Sequence, residues 1–373
     1  WGARMGVCAS DEVGGSAQSP EEKEKPKTKK EGPQAVQQSM VMKLVLVGPE
    51  QSGKSTLMKQ LLRIHRGGMD QKRRKEFLEP VNNDLMSSME TLLDKVEKYG
   101  AKEAKLMYAP DLAEEVKRFR EYIQEHTEGP IDEQIGVIIS NIWKDEGVQR
   151  CLLTIKDAEY EINDSASYFF ENTFRVCRKE YTPSTDDVIR VRFRTTGIYE
   201  ESFEHEGHTY KLVDLGGQRS ERRKWKSCFE KGDVNAVLFL AAISGFNILV
   251  KEDQSITQLE EAYRLFQKFA SEKETSGMAV ILFLNKYDIF KEKIKTMDIT
   301  ECPLLREFKG NCRDPEAAAE FIESIFEEVR EGKDNQWFCH FTDATNEELM
   351  KDIFWDIKEY VLHLSLMRAG LLI

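Results

Sequence analysis

The chain has 373 residues, of which 40% are hydrophobic and 32% are charged, a composition typical of a soluble globular protein with room for two domains. Its net charge of −12 and its pI near 5.3 argue against binding to nucleic acid through a basic surface. Seven cysteines, an odd number without any C-x-x-C pair, favour a reduced, cytosolic protein without a zinc site.

Residues 1–40 are predicted to form a disordered tail with a lipidation signal. The sequence MGVCAS fits the myristoylation pattern at Gly6, and Cys8 is placed for a second acyl chain, so that the two chains together would bind a membrane stably. A chance match is the alternative. With residues 1–4 attached, Gly6 has no free amine and is not expected to be acylated in this chain. Residues 9–38 contain three prolines and few apolar side chains, so we expect no regular structure there.

Regular structure is predicted from Val41 onwards. The apolar run VMKLVLV predicts a buried strand that ends in a turn at Gly48, and the pattern of residues 54–65 predicts a helix. Two glycines, Gly67 and Gly68, then indicate a hinge. The strand, turn and helix form the first unit of an α/β domain.

The remaining chain changes pattern twice. Apolar spacing is helical from about residue 70 to 186, and strand patterns return with VIRVRFRTTGI, HTYKLVDL, VNAVLFLAA and AVILFLN, each followed by a helical stretch. The longest apolar runs are short or interrupted by polar residues, so they indicate buried strands and not membrane spans. We therefore predict an α/β fold over residues 41–68 and 187–373, with a mostly parallel sheet flanked by helices and an all-helical insertion at residues 69–186.

The loop GPEQSGKS, from Gly48 to Ser55, fits the phosphate-binding pattern G-x-x-x-x-G-K-[ST]. Its backbone N–H groups and the following helix N-terminus should cradle phosphates. Lys54 would reach the β- and γ-phosphates, and the hydroxyl of Ser55 would bind Mg²⁺. A glycine-rich turn without a ligand is the alternative, and this motif does not separate ATP from GTP.

Two later motifs each follow a predicted strand. In DLGGQ, Asp214 can hold Mg²⁺ through water, a glycine N–H can meet the γ-phosphate, and Gln218 can orient an attacking water. In NKYD, Asp288 can accept two hydrogen bonds from the guanine edge. Either sequence alone could be an ordinary turn. Together with the first loop, and in this order, they favour GTP as the ligand.

With these residues in place, the chain resembles the α subunit of heterotrimeric G proteins from about Val41 to its C-terminus. The most specific stretches are VIRVRFRTTGI, DLGGQRSERRKWKSCFE, NDSASYFF, NKYD and HFTDAT. Small Ras-type GTPases lack the helical block and the first of these stretches. The resemblance implies a Ras-like P-loop GTPase domain with an inserted helical domain.

The resemblance also implies a hydrolytic mechanism. Arg192 falls on the family's internal arginine finger, which neutralises charge on the transferring phosphoryl group. Thr195 falls on a Mg²⁺ ligand of switch I, and Gly217 on a contact to the γ-phosphate. Gln218 falls on the residue that positions water. The role of Arg192 has an alternative: Arg190, Arg192 and Arg194 alternate in the sequence and could form one solvated face of a strand.

The nucleotide is expected to lie among residues from several loops. Asp164 would reach across the cleft toward Lys286, and Ala344 would give its backbone N–H to the guanine. The full set of expected nucleotide contacts is Glu50, Gln51, Ser52, Gly53, Lys54, Ser55, Thr56, Ser165, Ile189, Arg190, Thr195, Asp214, Gly217, Asn285, Lys286, Asp288 and Ala344, with Ser55, Thr195 and Asp214 as the metal ligands.

The first loop departs from the family pattern. The family normally has glycine where Glu50 lies and, where Gln51 lies, a glutamate that can pair with the arginine finger. Glu50 could pair with Arg192 in its place, or it could face solvent without effect. Asp343 stands where the family usually has cysteine. The sequence leaves the orientation of Glu50 open.

The resemblance implies partners as well. Thr196, Gly197 and the switch II residues Arg222 and Trp225 match the face that GTPase-accelerating RGS domains, effectors or the βγ dimer contact, although Trp225 could be an ordinary core residue. A G-protein-coupled receptor or another exchange factor would bind the C-terminal helix, roughly residues 346–367. Stable βγ binding is ranked lower, because prolines interrupt the N-terminal segment. The expected location is the cytoplasmic face of the plasma membrane, or the cytosol if the chain is not acylated.

Three functions are compatible with these residues. The first is a GTP-hydrolysing switch of the G-protein α type with slow intrinsic turnover, as the intact Arg192, Thr195 and Gln218 suggest. The second is a GTP-binding scaffold with little hydrolysis, because of Glu50. The third is an ATP-using P-loop enzyme, in which Asp288 would be incidental.

Overall fold

A computed structural model describes residues 39–126, 129–154, 162–192, 195–272, 275, 278–329, 337–368 and 370. The predicted tail, with Gly6 and Cys8, lies outside the described residues, so its disorder and lipidation stay predictions.

Fourteen α-helices and eight strands make up the regular structure of the described part. The helices are α1 (Lys54–Arg66), α2 (Gln71–Lys75), α3 (Leu78–Gly100), α4 (Ala113–Glu125), α5 (Glu133–Lys144), α6 (Glu146–Thr154), α7 (Ala166–Glu171), α8 (Thr173–Val176), α9 (Thr185–Arg190), α10 (Trp225–Phe229), α11 (Gln258–Ser271), α12 (Tyr287–Ile294), α13 (Pro315–Glu328) and α14 (Glu347–Arg368). The strands are β1 (Val41–Val47), β2 (Ile198–His205), β3 (His208–Leu215), β4 (Ala236–Ala242), β5 (Leu249–Val250), β6 (Asp253–Thr257), β7 (Ala279–Asn285) and β8 (Trp337–Thr342).

Six of the strands form one sheet in the order β2-β3-β1-β4-β7-β8. Every neighbouring pair is parallel except β2 with β3, which is antiparallel. Strands β4 and β7 are buried along their whole length, as expected for apolar runs covered by helices on both faces. In a parallel sheet the carboxyl ends of the strands lie at one edge, so the loops after β1, β3, β7 and β8 lie close together. The predicted fold class is confirmed.

One predicted strand is wrong. The stretch VIRVRFRTTGI begins inside helix α9, and the described part of it does not become a strand before Ile198. The reason is a capping box: the Ser184 side chain accepts from the Asp187 N–H, and the Asp187 side chain accepts from the Ser184 N–H. This reciprocal cap favours a helix over the β propensity of the valines and isoleucine that follow.

Two strands of the sheet were not predicted at all. Strand β2 reads IYEESFEH, with three acidic residues and mostly exposed side chains, and it lies at one edge of the sheet. Strand β8 lies at the opposite edge. Strand β2 lacks the continuous apolar character that identifies a buried strand, and β8, WFCHFT, is short and interrupted by His340.

The helices between α1 and β2 bury a core of their own. This core includes Leu85, Leu92, Phe119, Ile139 and Phe169, whereas two other cores cover the two faces of the sheet. The boundaries proposed for the insertion, residues 69 and 186, stay a prediction; helix α9 runs across the second of them. None of the helices that the structure describes has the length and apolar character needed to cross a membrane.

Candidate functional site

A cavity of about 240 Å³ lies where the loops at the carboxyl edge of the sheet meet the helical insertion. Most of the predicted nucleotide contacts line it: Glu50, Gln51, Gly53, Lys54, Ser55, Thr56, Ser165, Ile189, Arg190, Thr195, Gly217, Asn285, Lys286, Asp288 and Ala344, together with Arg192 and Gln218. Ser52 and Asp214 do not line the cavity. Ser52 is buried, and its hydroxyl donates to the Pro49 carbonyl at 3.0 Å, while Asp214 lies behind Ser55.

Close backbone packing explains the two glycines of the first loop. A Cβ at Gly48 would lie 2.3 Å from the Leu240 carbonyl oxygen, and a Cβ at Gly53 would lie 2.1 Å from Asn285 Nδ2. Both glycines also have positive φ angles, 144° and 98°. Gln51 adopts a positive φ of 62° without being a glycine. The loop is therefore packed tightly between β4 and the end of β7.

Lys54 is buried at the bottom of the loop. Its ammonium donates to the carbonyls of Gly48 at 3.0 Å and Pro49 at 2.7 Å. Burial lowers its pKa to about 8, although Asp214 opposes this change. A Cβ at Gly217 would lie 2.5 Å from Lys54 Nζ, so only glycine lets the loop after β3 come this close to the lysine. A cation at the N-terminus of α1 suits a polyanionic ligand.

The three predicted metal ligands form one cluster of oxygens. Ser55 Oγ donates to Asp214 Oδ2 at 2.6 Å and lies 2.7 Å from Thr195 Oγ1, which donates to the same carboxylate oxygen at 2.9 Å. The other oxygen, Asp214 Oδ1, is buried without a hydrogen-bond partner. An unpaired buried carboxylate oxygen beside two hydroxyls fits a hard cation such as Mg²⁺, which takes few protein ligands and completes its shell with water and phosphate oxygens.

The cluster of Ser55, Thr195 and Asp214 contains only one carboxylate, so its affinity for a metal ion would depend on a bound ligand. Within the described ranges, no group of three or more His, Cys, Asp or Glu side chains could hold a metal ion. A cation here would therefore need the two hydroxyls and the phosphates of a bound nucleotide in addition to the single carboxylate.

Asn285 ties together three loops at the other end of the cavity. Its Nδ2 donates to the Ser52 carbonyl at 2.8 Å, and its Oδ1 accepts from Thr342 Oγ1 at 3.0 Å and from the Ala344 N–H at 3.1 Å. The Ala344 N–H that was expected to contact guanine thus already has an acceptor. Asn285 is 2% exposed and contributes chiefly to the shape of the pocket.

Two carboxylates, Asp288 and Asp343, line the same end of the cavity. Burial raises the pKa of Asp288, and the charge of Asp343 raises it further. Asp343 Oδ1 accepts from Thr345 N at 2.9 Å and Thr345 Oγ1 at 2.7 Å, which fixes its side chain in an Asx turn. The residue that departs from the family pattern therefore lines the same end of the cavity as Asp288.

The two arginines near the end of α9 do not share a strand face. Arg192 Nη2 lies 3.4 Å from Glu50 Oε1, whereas the Arg190 guanidinium lies over the Tyr168 ring, 4.9 Å from its centre. Arg190 is the last residue of α9, and Arg192 follows in a loop. The alternative of one solvated arginine face is therefore wrong for these two residues.

The predicted contact across the cleft is present. Lys286 Nζ lies 2.5 Å from Asp164 Oδ2, with 18% and 30% of the two side chains exposed. Asp164 precedes α7 in the helical insertion, and Lys286 precedes α12. The pair joins the two walls of the cavity.

Four further lining residues were not predicted from the sequence: Lys59, Asn163, Val191 and Ile289. Asn163 lies beside Asp164 in a stretch that had been singled out, so its position could have been noticed. Lys59 lies one turn after the phosphate-binding loop on α1, and no motif distinguishes it from a surface lysine.

Trp225 is not on an exposed surface, contrary to one of the two expectations for it. It is 7% exposed, packs in one of the sheet cores, and donates its indole N–H to the Gly216 carbonyl at 2.9 Å. Arg222 is also largely covered, since it donates to the Gly217 carbonyl at 3.0 Å and lies 3.2 Å from Glu261. Thr196 is exposed and Gly197 is half-buried.

Comparison with known proteins gives one consistent result. The model of the G-protein alpha subunit family matches residues 16–361. The guanine nucleotide-binding protein G(o) subunit alpha of Geodia cydonium is 37% identical over 342 residues, which cover 91% of this chain and 92% of that protein. The guanine nucleotide-binding protein subunit alpha of Cryphonectria parasitica is 33% identical over 344 residues, which cover 90% of this chain and 92% of that protein. The guanine nucleotide-binding protein subunit alpha of Emericella nidulans is 33% identical over 333 residues, which cover 89% of this chain and 91% of that protein.

Proposed function

The chain belongs to the family of G-protein α subunits, and we propose that this guanine nucleotide-binding signalling switch hydrolyses GTP to GDP and phosphate with the help of Mg²⁺. The observation that carries the proposal is that Arg192 and Gln218 line the same cavity as Lys54. Phosphoryl transfer needs positioned reactants and positive charge where negative charge develops, and these residues supply both.

Each residue of the site has a proposed role that follows from its chemistry. Lys54 and the N-terminus of α1 would hold the phosphates, while Asp288 would accept hydrogen bonds from the guanine edge. Mg²⁺, held by Ser55, Thr195 and Asp214, would neutralise charge on the phosphates when bound. Gln218 would orient the attacking water, and Arg192 would stabilise the charge of the transition state.

A second function, a GTP-binding scaffold with little hydrolysis, is favoured by one observation. The guanidinium of Arg192 faces Glu50, and a carboxylate in the first loop both attracts the arginine and repels the phosphates. The two functions differ only in the rate of the chemical step.

Single-turnover hydrolysis of GTP by the native chain tests the proposal. Arg192→Ala and Gln218→Ala should keep nucleotide affinity nearly unchanged and slow hydrolysis by orders of magnitude, because both groups act mainly in the transition state. Absence of hydrolysis by the native chain would favour the scaffold.

Competition between GTP and ATP tests the proposed guanine contact of Asp288, since adenine would leave the acceptors of Asp288 unpaired. Equal affinities for GTP and ATP would contradict the guanine assignment.

Partners follow from membership of the family, whose members act with receptors, effectors and βγ dimers in general. We propose that an RGS domain contacts Thr196 and Gly197, that effectors contact the segment around Arg222, and that a receptor contacts α14. With Trp225 buried, its indole contributes to such a surface by supporting it. Binding of an RGS domain should be tightest with a transition-state mimic in the site. Stable βγ binding is ranked lower, and a pull-down that recovers βγ as tightly as for ordinary relatives would overturn this ranking.

A further inference from the structure

The peptide group that joins Val191 to Arg192 is held from both of its polar sides. Lys59 Nζ lies 3.4 Å from the Val191 carbonyl oxygen, and the Arg192 N–H donates to Asp84 Oδ2 at 3.3 Å. An ammonium thus faces the negative end of this peptide dipole and a carboxylate faces the positive end. Both interactions favour the same orientation of the peptide plane.

The two charged residues come from different parts of the fold. Lys59 lies on α1, directly after the phosphate-binding loop, and it also donates to the Val188 carbonyl at 2.9 Å, near the C-terminus of α9. Asp84 lies on α3 of the helical insertion, and its Oδ2 also accepts from Asn163 Nδ2 at 2.6 Å. The chain segment before Arg192 is therefore held both by α1 and by α3 of the insertion.

We propose that Lys59 and Asp84 are positioning residues for Arg192, which set where its guanidinium can reach during hydrolysis; this inference rests on the proposed function. Arginine has a long side chain with many rotamers, so the position of its main chain limits where the charged end lies. A displacement of about 1 Å in a reacting constellation can cost about a hundredfold in rate. The contacts of Lys59 and Asp84 therefore also influence the fraction of time that the guanidinium faces the phosphates and the fraction that it faces Glu50.

Single-turnover hydrolysis of Asp84→Ala and Lys59→Met tests the inference from the two sides independently. Each variant should hydrolyse GTP about tenfold more slowly than the native chain, the usual effect of losing one hydrogen bond to a charged group, with nucleotide affinity changed less than about twofold. Asp84→Asn keeps an amide oxygen that can accept from the Arg192 N–H, so it should recover most of the rate. Glu79→Ala, at an exposed carboxylate on the same helix, is the matched control and should match the native rate.

A double-mutant cycle separates this inference from the proposed function. In the Arg192→Ala background, Asp84→Ala should cause no further loss, because the residue acts through the arginine. An equal further loss in that background, or a native rate for both Asp84→Ala and Lys59→Met, would overturn the inference and leave the proposed function intact. A native rate for Arg192→Ala alone would overturn the catalytic role of the arginine, and the positioning role with it.

Discussion

Arg192 Nη2 lies 3.4 Å from Glu50 Oε1, and about a third of each side chain is exposed, 30% and 32% respectively. This settles the orientation that the sequence left open: the carboxylate of the first loop faces the arginine across the cavity. Partly exposed ion pairs contribute at most about 1 kcal/mol. Under the proposed function, Glu50 would compete with the phosphates for the guanidinium, but weakly enough for the arginine to leave it.

Replacing Glu50 should accelerate hydrolysis. Glu50→Gly removes both the attraction for Arg192 and the repulsion of the γ-phosphate, and we expect the single-turnover rate to rise by up to about tenfold. Glu50→Gln, which keeps the size and removes only the charge, should give most of the increase. Adding Gln51→Glu should restore the family's pairing and change the rate of nucleotide release. Equal rates for native, Gly and Gln chains would show that the carboxylate is catalytically silent.

We expect GDP binding to depend on pH, because burial, and after it the charge of Asp343, raises the pKa of Asp288. The raised pKa of Asp288 means that it takes up a proton more readily as the pH falls, and a protonated carboxyl cannot accept both hydrogen bonds of guanine. Asp343→Asn removes one cause of that shift and keeps the Oδ1 that Thr345 uses. GDP titrations at stepwise decreasing pH should show the affinity of this variant falling at a lower pH than that of the native chain. Asp352→Asn, an exposed substitution on α14, is the control; profiles that coincide for all three chains would contradict the assignment.

The bridge between Asp164 and Lys286 should slow nucleotide release. Because it joins the two walls of the cavity, Asp164→Asn should speed the dissociation of GDP by up to about fivefold and leave single-turnover hydrolysis unchanged. Added salt should reduce the difference, since both side chains are partly exposed. The control is Asp111→Asn, at an exposed carboxylate of the insertion. A release rate equal to that of the native chain at low salt would argue against the bridge.

The sequence predicted those parts of the fold that have a local signature. Strand β1 begins at Val41 as expected, and α1 ends at Arg66, one residue beyond the expected end. The strand predicted for the stretch before β2 is wrong, because the cap formed by Ser184 and Asp187 favours a helix over the strand-like pattern. The carboxyl ends of the parallel strands then bring the predicted loops together, which explains why nearly all of the expected contacts line one cavity.

Contacts that depend on the insertion could not be predicted in the same way. Asp84 and Lys59 are separated from Arg192 by more than a hundred residues, and only the tertiary fold brings α1 and α3 to the peptide group before Arg192. Trp225 had two interpretations because an aromatic residue in a helix is compatible with a core or with a surface. Its burial follows from how the loop after β3 packs, which no local pattern records.

The buried carboxylate of Asp187 should contribute strongly to stability above about pH 4. It is fully buried and accepts from Arg175 at 2.7 and 2.8 Å, from the hydroxyls of Tyr168 and Tyr181 at 2.9 Å each, and from the Ser184 N–H at 2.7 Å. Burial alone would raise its pKa, but these donors, Arg175 foremost, outweigh it and lower the pKa to about 2. The folded state therefore releases this proton more readily than the unfolded state, and the stabilisation, about 2 kcal/mol, is lost as the pH falls from about 4 to 2.

Asp187→Asn should accordingly lower the free energy of unfolding by about 2–3 kcal/mol at pH 7, because the tyrosine hydroxyls and Arg175, whose side chain is 36% exposed, lose a charged acceptor. Urea denaturation of the nucleotide-bound chain measures this, and the gap between variant and native chain should narrow as the pH is lowered from 5 to 3. The adjacent Asp186 is 57% exposed and pairs with Arg63, so Asp186→Asn should cost no more than about 1 kcal/mol and show no comparable narrowing. If Asp187→Asn is as stable as Asp186→Asn at pH 7, the hydrogen bonds around the buried carboxylate do not stabilise the fold. The helix α9 would then be held by its apolar packing and not by the cap of Ser184 and Asp187.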